Sequence, residues 1–126
     1  MKVCATTRLL FCFALVLAVE VVQAEKALPE AQLFAVACAG CHTLSEETDH
    51  RIGPPLGNLG NRLAGSVVNY EYSEALATSG IRWTVPELTA WIIDTDARLP
   101  ETSMVYSNAL TPDEIFRLTH WLLKAP

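Results

Sequence analysis

Cys38, Cys41 and His42 stand in the run Cys38-Ala39-Gly40-Cys41-His42. Two thiols three residues apart, with an imidazole directly after, admit several chemistries. They can close a disulfide, supply half of a zinc site, cycle as a thiol redox pair, or attach a c-type haem. The spacing favours the last. On a helix, residues i, i+3 and i+4 share a face, so the three side chains can address one side of a flat macrocycle together. The thiols would form thioethers to the porphyrin edge, and His42 would reach the iron as proximal ligand. Ala39 and Gly40 add almost no bulk, which lets the ring edge lie close to the backbone. A structural zinc site needs a second ligand pair, and no later segment supplies one. A thioredoxin-like pair follows a strand in a βαβ pattern, and none is visible.

The elements that must position these residues read as helices and loops. Pro29 suits a first helical turn, and Leu33, Phe34, Ala37, Cys38 and Cys41 recur at helical spacing up to the motif. Thr43 to Gly60 carries Gly53-Pro54-Pro55 and three further turn residues, so it reads as loop. Ser73 can cap a short helix over Glu74 to Ser79, with Gly80 as its stop. Thr84-Val85-Pro86-Glu87 is a capping box that opens a helix through Ile93 or Asp94, with Leu88, Trp91 and Ile92 on its inner stripe. Thr95 to Leu110 reads as loop and holds Pro100 and Met104. Thr111-Pro112-Asp113-Glu114 repeats the capping device and starts a last helix that buries Ile115, Leu118, Trp121 and Leu122. No strand pattern or internal repeat is convincing, and the chain reads as all-α.

The first 24 residues read as a separate segment. Lys2 and Arg8 precede an apolar run from Leu9 to Val19, and Val22-Gln23-Ala24 is a small-residue cleavage signal. The run is short for the roughly 20 apolar residues that cross a bilayer, and Glu20 interrupts any extension of it. We therefore expect residues 1–24 to be a cleaved secretory signal peptide and 25–126 to be one domain. Cys4 and Cys12 fall within the signal and would be lost, leaving the motif's own pair as the only cysteines. The mature part has seven basic and thirteen acidic residues, a net charge of −6. That balance argues against nucleic-acid or anionic-membrane binding.

From residue 29 to 124 the chain resembles the small class I cytochromes c. The resemblance is carried by Phe34 four residues before Cys38, the Cys-x-x-Cys-His motif, Gly53-Pro54 and Gly60-Asn61-Arg62 with Gly65. Further on come Tyr70-Glu71-Tyr72-Ser73, Trp83, Pro100 to Met104, and Leu118 with Trp121. The resemblance implies three to five helices wrapped around one haem c, with the first and last helices crossing. It makes Met104 the second iron ligand. The residues agree, since Met104 is the only methionine left after the signal and sits in a proline-bearing loop, where it is not core filler. A thioether opposite an imidazole favours ferrous iron and raises the potential. His50 and His120 are the competing ligands, and solvated histidine is the default for both. The resemblance also assigns the Pro54 carbonyl, with Pro55 as alternate, to the second N–H of His42, and Arg62, Tyr72 and Trp83 as donors to the haem propionates. Trp91 stands where the family often has a tyrosine near the methionine sulfur; an indole cannot accept a hydrogen bond, which breaks that network as usually drawn.

With both axial positions filled by protein, the expected function is one-electron transfer in a periplasm rather than enzyme chemistry. A tightly bound haem c subunit of a periplasmic dehydrogenase or oxidase is the alternative, and a ligand-binding or peroxidase-like haem protein is a third. Ala35, Ala37, Ala39 and Gly40 beside the motif, and Ser103 before the methionine, replace the lysine ring of the mitochondrial branch. Lys26 and Lys124 lie near the two ends, so Arg51 is the one basic residue expected at the haem front. Redox partners should therefore dock at a largely uncharged haem edge, without electrostatic steering.

Overall fold

The computed structural model describes residues 27–45 and 51–126. Five α-helices appear among them: α1 (Glu30–Ala37), α2 (Glu74–Thr78), α3 (Val85–Ile93), α4 (Thr95–Arg98) and α5 (Pro112–Leu122), with a 3₁₀ turn at Leu59–Asn61. Among the described residues the only β-type pairing is an isolated antiparallel bridge between Leu63 and Arg82. The fold is the all-α one expected.

Side-chain caps set most helix starts. The Ser73 side chain accepts from Leu76 N–H and starts α2; Gly80, at φ +65°, turns the chain away after it. Thr84 caps α3 by accepting from Glu87 N–H. The expected return bond from Glu87 is diverted, because its carboxylate pairs with Arg98, whose Nε donates at 2.8 Å. Thr111 and Glu114 complete a full capping box at α5. Pro29 is the N-cap of α1 and not an internal residue, so that helix starts at Glu30 and ends before the motif, with Cys38 as C-cap.

One departure matters for the site. The stretch expected to be loop from Thr95 opens with α4, a single turn that Asp94 caps by accepting from Ala97 N–H. Only the part beyond Arg98 is irregular, and it carries Met104.

α1 and α5 pack together, and α5 also packs on α3. Leu33, Leu118 and Leu122 are almost fully buried where they meet, and burial of such side chains is worth about 1.5–3 kcal/mol each. The rings of Phe34 and Trp121 lie 5.9 Å apart, while Trp121 itself remains half-buried. Thr119, fully buried within that seam, accepts from the Thr89 hydroxyl at 3.4 Å. Arg117 ties the start of α1 to α5: Nη1 donates to the Leu28 carbonyl at 2.9 Å and to Glu30 at 2.8 Å. Among the described residues, no helix is long and apolar enough to cross a membrane.

Candidate functional site

The chain after α1 makes two tight turns, with Cys41 N–H and His42 N–H both donating to the Cys38 carbonyl at 3.0 and 2.9 Å. Those turns place Cys38, half-buried, and Cys41, exposed, at the edge of a cleft, and send the His42 ring inward. Neither cysteine forms a disulfide. Among the described residues no group of three or more His, Cys, Asp or Glu could hold a metal ion, so the zinc alternative has no further ligands there. Burial pushes the Cys38 thiol up to about 11, helped by the nearby Cys41, so it is held as S–H.

His42 is 8% exposed. Its Nδ1 lies 2.8 Å from the Pro54 carbonyl, an arrangement only an Nδ1–H can satisfy. That fixes the tautomer and leaves the Nε2 lone pair free. Burial lowers the pKa of the ring, against the opposing pull of the Pro54 bond, so the imidazole is neutral. Gly53 is what lets the ring lie there, because a Cβ at that position would fall 2.6 Å from Nδ1 and 2.9 Å from Nε2. The Gly53 N–H donates to the Cys41 carbonyl at 2.8 Å and fastens this loop to the motif.

All eight site residues expected from the sequence line the same cleft: Cys38, Cys41, His42, Pro54, Arg62, Tyr72, Trp83 and Met104. Arg62 donates from Nε to the Gly57 carbonyl at 3.3 Å and from Nη2 to the Pro55 carbonyl at 2.5 Å. These bonds use two of its five N–H groups and hold the loop behind His42. Trp83 is buried edge-on against Trp91, with centroids 5.5 Å apart. Met104 is half-buried, and its sulfur accepts from the Trp91 Nε1–H at 3.2 Å. The indole is thus a donor to the thioether, and no accepting role is needed of it. His120 lies outside the cleft lining; its ring meets that of Phe116 at a tilt of 57°, centroids 4.2 Å apart, and its Nδ1 is 3.0 Å from the Phe116 carbonyl. His50 lies outside the described residues.

Tyr106 is a cleft residue the sequence reading did not single out. Its position two residues after Met104, in a stretch where alternate side chains turn inward, is the signal that could have found it. Burial and the neighbouring Cys38 push its pKa up to about 12. The hydroxyls of Tyr72 and Tyr106 are both buried with no hydrogen-bond partner among the described residues. An unpaired buried hydroxyl costs about 1–3 kcal/mol.

These features fit a haem. The cleft walls are apolar, with Leu59, Leu76, Leu88, Ile92 and Leu122 for the face of a large flat ring. Two thiols stand at its edge, an oriented imidazole and a thioether are available as ligands, and unpaired hydroxyls remain for carboxylates.

The comparisons with known proteins agree. The family model described as cytochrome c matches residues 31–126. Cytochrome c-550 of Nitrobacter winogradskyi is 37% identical over 81 residues, 64% of this chain and 74% of the relative. Cytochrome c2 of Rhodoplanes tepidamans is 36% identical over 70 residues, 56% of this chain and 65% of the relative. Among solved structures, cytochrome cH from Methylobacterium extorquens superposes with a TM-score of 0.65 at 28% identity, covering 74% of this chain and 92% of that one. The chain therefore belongs to the cytochrome c family, as an electron carrier with one covalently bound haem c.

Proposed function

We propose that this protein is an exported, periplasmic one-electron carrier whose iron is held between His42 and Met104. The observation that carries the reading is that an imidazole and a thioether, each already oriented by a hydrogen bond, line one cleft. Bound haem supplies the exchange of one electron between Fe(III) and Fe(II). Cys38 and Cys41 would hold the ring edge as thioethers, and the Pro54 bond to Nδ1 would leave the His42 Nε2 free to ligate the iron. Tyr72, Arg62 and Trp83 would serve the propionates as donors; Tyr72 has the clearest claim, since its hydroxyl has no other partner among the described residues. With His42 and Met104 both holding it, the iron would offer a substrate no open position. Residues 1–24 are removed as a signal peptide, which lies outside the described residues.

The cleft mouth supports docking without steering charges. Ile52 and Val105 are 79% and 99% exposed there, and Ser103 stands beside Val105. Arg51 bends back so that its Nη1 donates to the Ala39 carbonyl at 2.6 Å. Among the described residues, redox partners then meet an apolar patch with the Arg51 cation at its rim.

Replacing Met104 with Ala tests the ligand assignment. Haem should stay covalently attached while the reduction potential falls and the sulfur-to-iron absorption band of the ferric protein disappears. An unchanged potential and spectrum would make Met104 packing and point to a histidine as the second ligand.

A further inference from the structure

Trp91 and Thr95 sit one turn apart, near the end of α3 and at the start of α4, and both reach the same residue. The Trp91 indole donates to the Met104 sulfur at 3.2 Å, and the Thr95 hydroxyl donates to the Met104 carbonyl at 2.9 Å. Both donors are buried, Trp91 at 4% and Thr95 at 3% exposure. Their target has no such support of its own. Residues 103–110 belong to no helix, and Ser103 and Val105 on either side of Met104 face solvent. The local bonds beside it are weak, from Met104 N–H to the Thr102 hydroxyl at 3.4 Å and from Thr102 N–H to the Leu99 carbonyl at 3.3 Å, and the Asn108 amide ties the segment to the Ile92 carbonyl only four residues further on.

The geometry points to Trp91 and Thr95 as positioning residues that clamp Met104 at two points, holding its sulfur in the cleft whether or not iron is bound. The inference rests on the reading that Met104 is the axial ligand. A thioether sulfur has two lone pairs, so one can accept from the indole while the other serves the metal. The carbonyl bond fixes the backbone, and the sulfur bond fixes the side-chain direction. Neither alone would do both.

The clamp has a functional consequence. A small molecule can bind the iron only in conformers where Met104 has left, so its apparent affinity scales with the population of that open state. Each bond that holds Met104 lowers that population. The pair thus keeps the sixth position closed to exogenous ligands and keeps the protein a carrier.

The test is a titration of the ferric, haem-loaded full chain with imidazole, followed by absorption. Thr95→Val removes the hydroxyl and keeps the shape, leaving the Met104 carbonyl unpaired. Imidazole should bind this variant about three- to tenfold more tightly than wild type, the weight of one buried hydrogen bond. Thr95→Ser keeps the donor and should bind like wild type. Trp91→Phe removes the indole N–H and should also bind imidazole more tightly; it carries the test if Thr95→Val fails to fold. A Thr95→Val affinity within about twofold of wild type, or a Thr95→Ser shift as large as that of Thr95→Val, would overturn the clamp. A wild-type ferric spectrum lacking the sulfur-to-iron band would overturn the ligand assignment instead, so the two failures are distinct.

Discussion

Gly53→Ala is the sharpest perturbation the site offers, because it displaces the His42 imidazole without substituting it. The new Cβ would sit 2.6 Å from His42 Nδ1 and 2.9 Å from Nε2, inside any normal carbon–nitrogen contact. Neither side can yield cheaply. The ring is 8% exposed and tied to the Pro54 carbonyl at 2.8 Å, and the Gly53 backbone is tied to the Cys41 carbonyl at 2.8 Å. Gly53 is not at positive φ, so the cost is steric alone. Overpacking of this kind costs about 1–3 kcal/mol, and loss of the Pro54 bond adds about 0.5–1.5 kcal/mol. A total of about 1.5–4.5 kcal/mol corresponds to a Tm lower by about 6–36 °C for a domain of this size. Thermal unfolding of the haem-loaded protein, followed by far-ultraviolet circular dichroism, measures it, and the reduction potential should shift in the same variant. A Tm within about 3 °C of wild type with an unchanged potential would refute the idea that Gly53 seats the imidazole.

The other predictions can be stated briefly. Intact-mass measurement of the exported protein should give residues 25–126 plus one haem; a mature chain still carrying Leu9 to Val19 would favour a membrane anchor. Electron transfer to the physiological partner should depend only weakly on ionic strength, and Val105→Lys, at a position 99% exposed on the cleft mouth, should slow it. Acceleration by that lysine, with a steep salt dependence, would mean that steering governs docking. The Glu30 carboxyl has its pKa lowered by its own backbone N–H and then by Arg117, and Glu114 by the backbone and hydroxyl of Thr111. A carboxylate depressed on folding stabilises above its ordinary value of 4.5 and loses that contribution as pH falls through and below it. Glu30→Gln should therefore flatten the acid limb of the stability profile; an unchanged limb would show that the Arg117 tie carries nothing there.

The legible features were local or periodic. Ser73, Thr84 and Thr111 announce helix starts because a cap needs one side chain and the N–H groups just after it. The motif and the proline-bearing methionine loop announce, through residue type and spacing, two distant stretches that the fold brings to one cleft. The missed features depend on partners far along the chain. Glu87 reads as half of a capping box, yet Arg98 competes for its carboxylate from a turn that the sequence does not announce. That turn, α4, has four residues, too few to show a period. Thr119 is fully buried on α5, where its hydroxyl accepts from Thr89 on α3, a partner 30 positions away. Residue type alone shows that the Trp91 indole cannot accept, but not that it donates to a sulfur 13 residues away.

The α1–α5 crossing has a consequence for biosynthesis. Leu33 and Phe34 find their buried partners on a helix that begins at Pro112, and Arg117 reaches the Leu28 carbonyl across 89 positions of sequence. A nascent chain that has not yet produced α5 cannot close its core, and joining ends about 80 residues apart costs on the order of 4 kcal/mol in chain entropy. The Cys-x-x-Cys-His segment, by contrast, is made early and needs no distant partner to be reached. Synthesis order therefore puts both thiols within reach before α5 exists, and the last helix closes the core while leaving Cys41 exposed and Cys38 half-buried at the cleft edge.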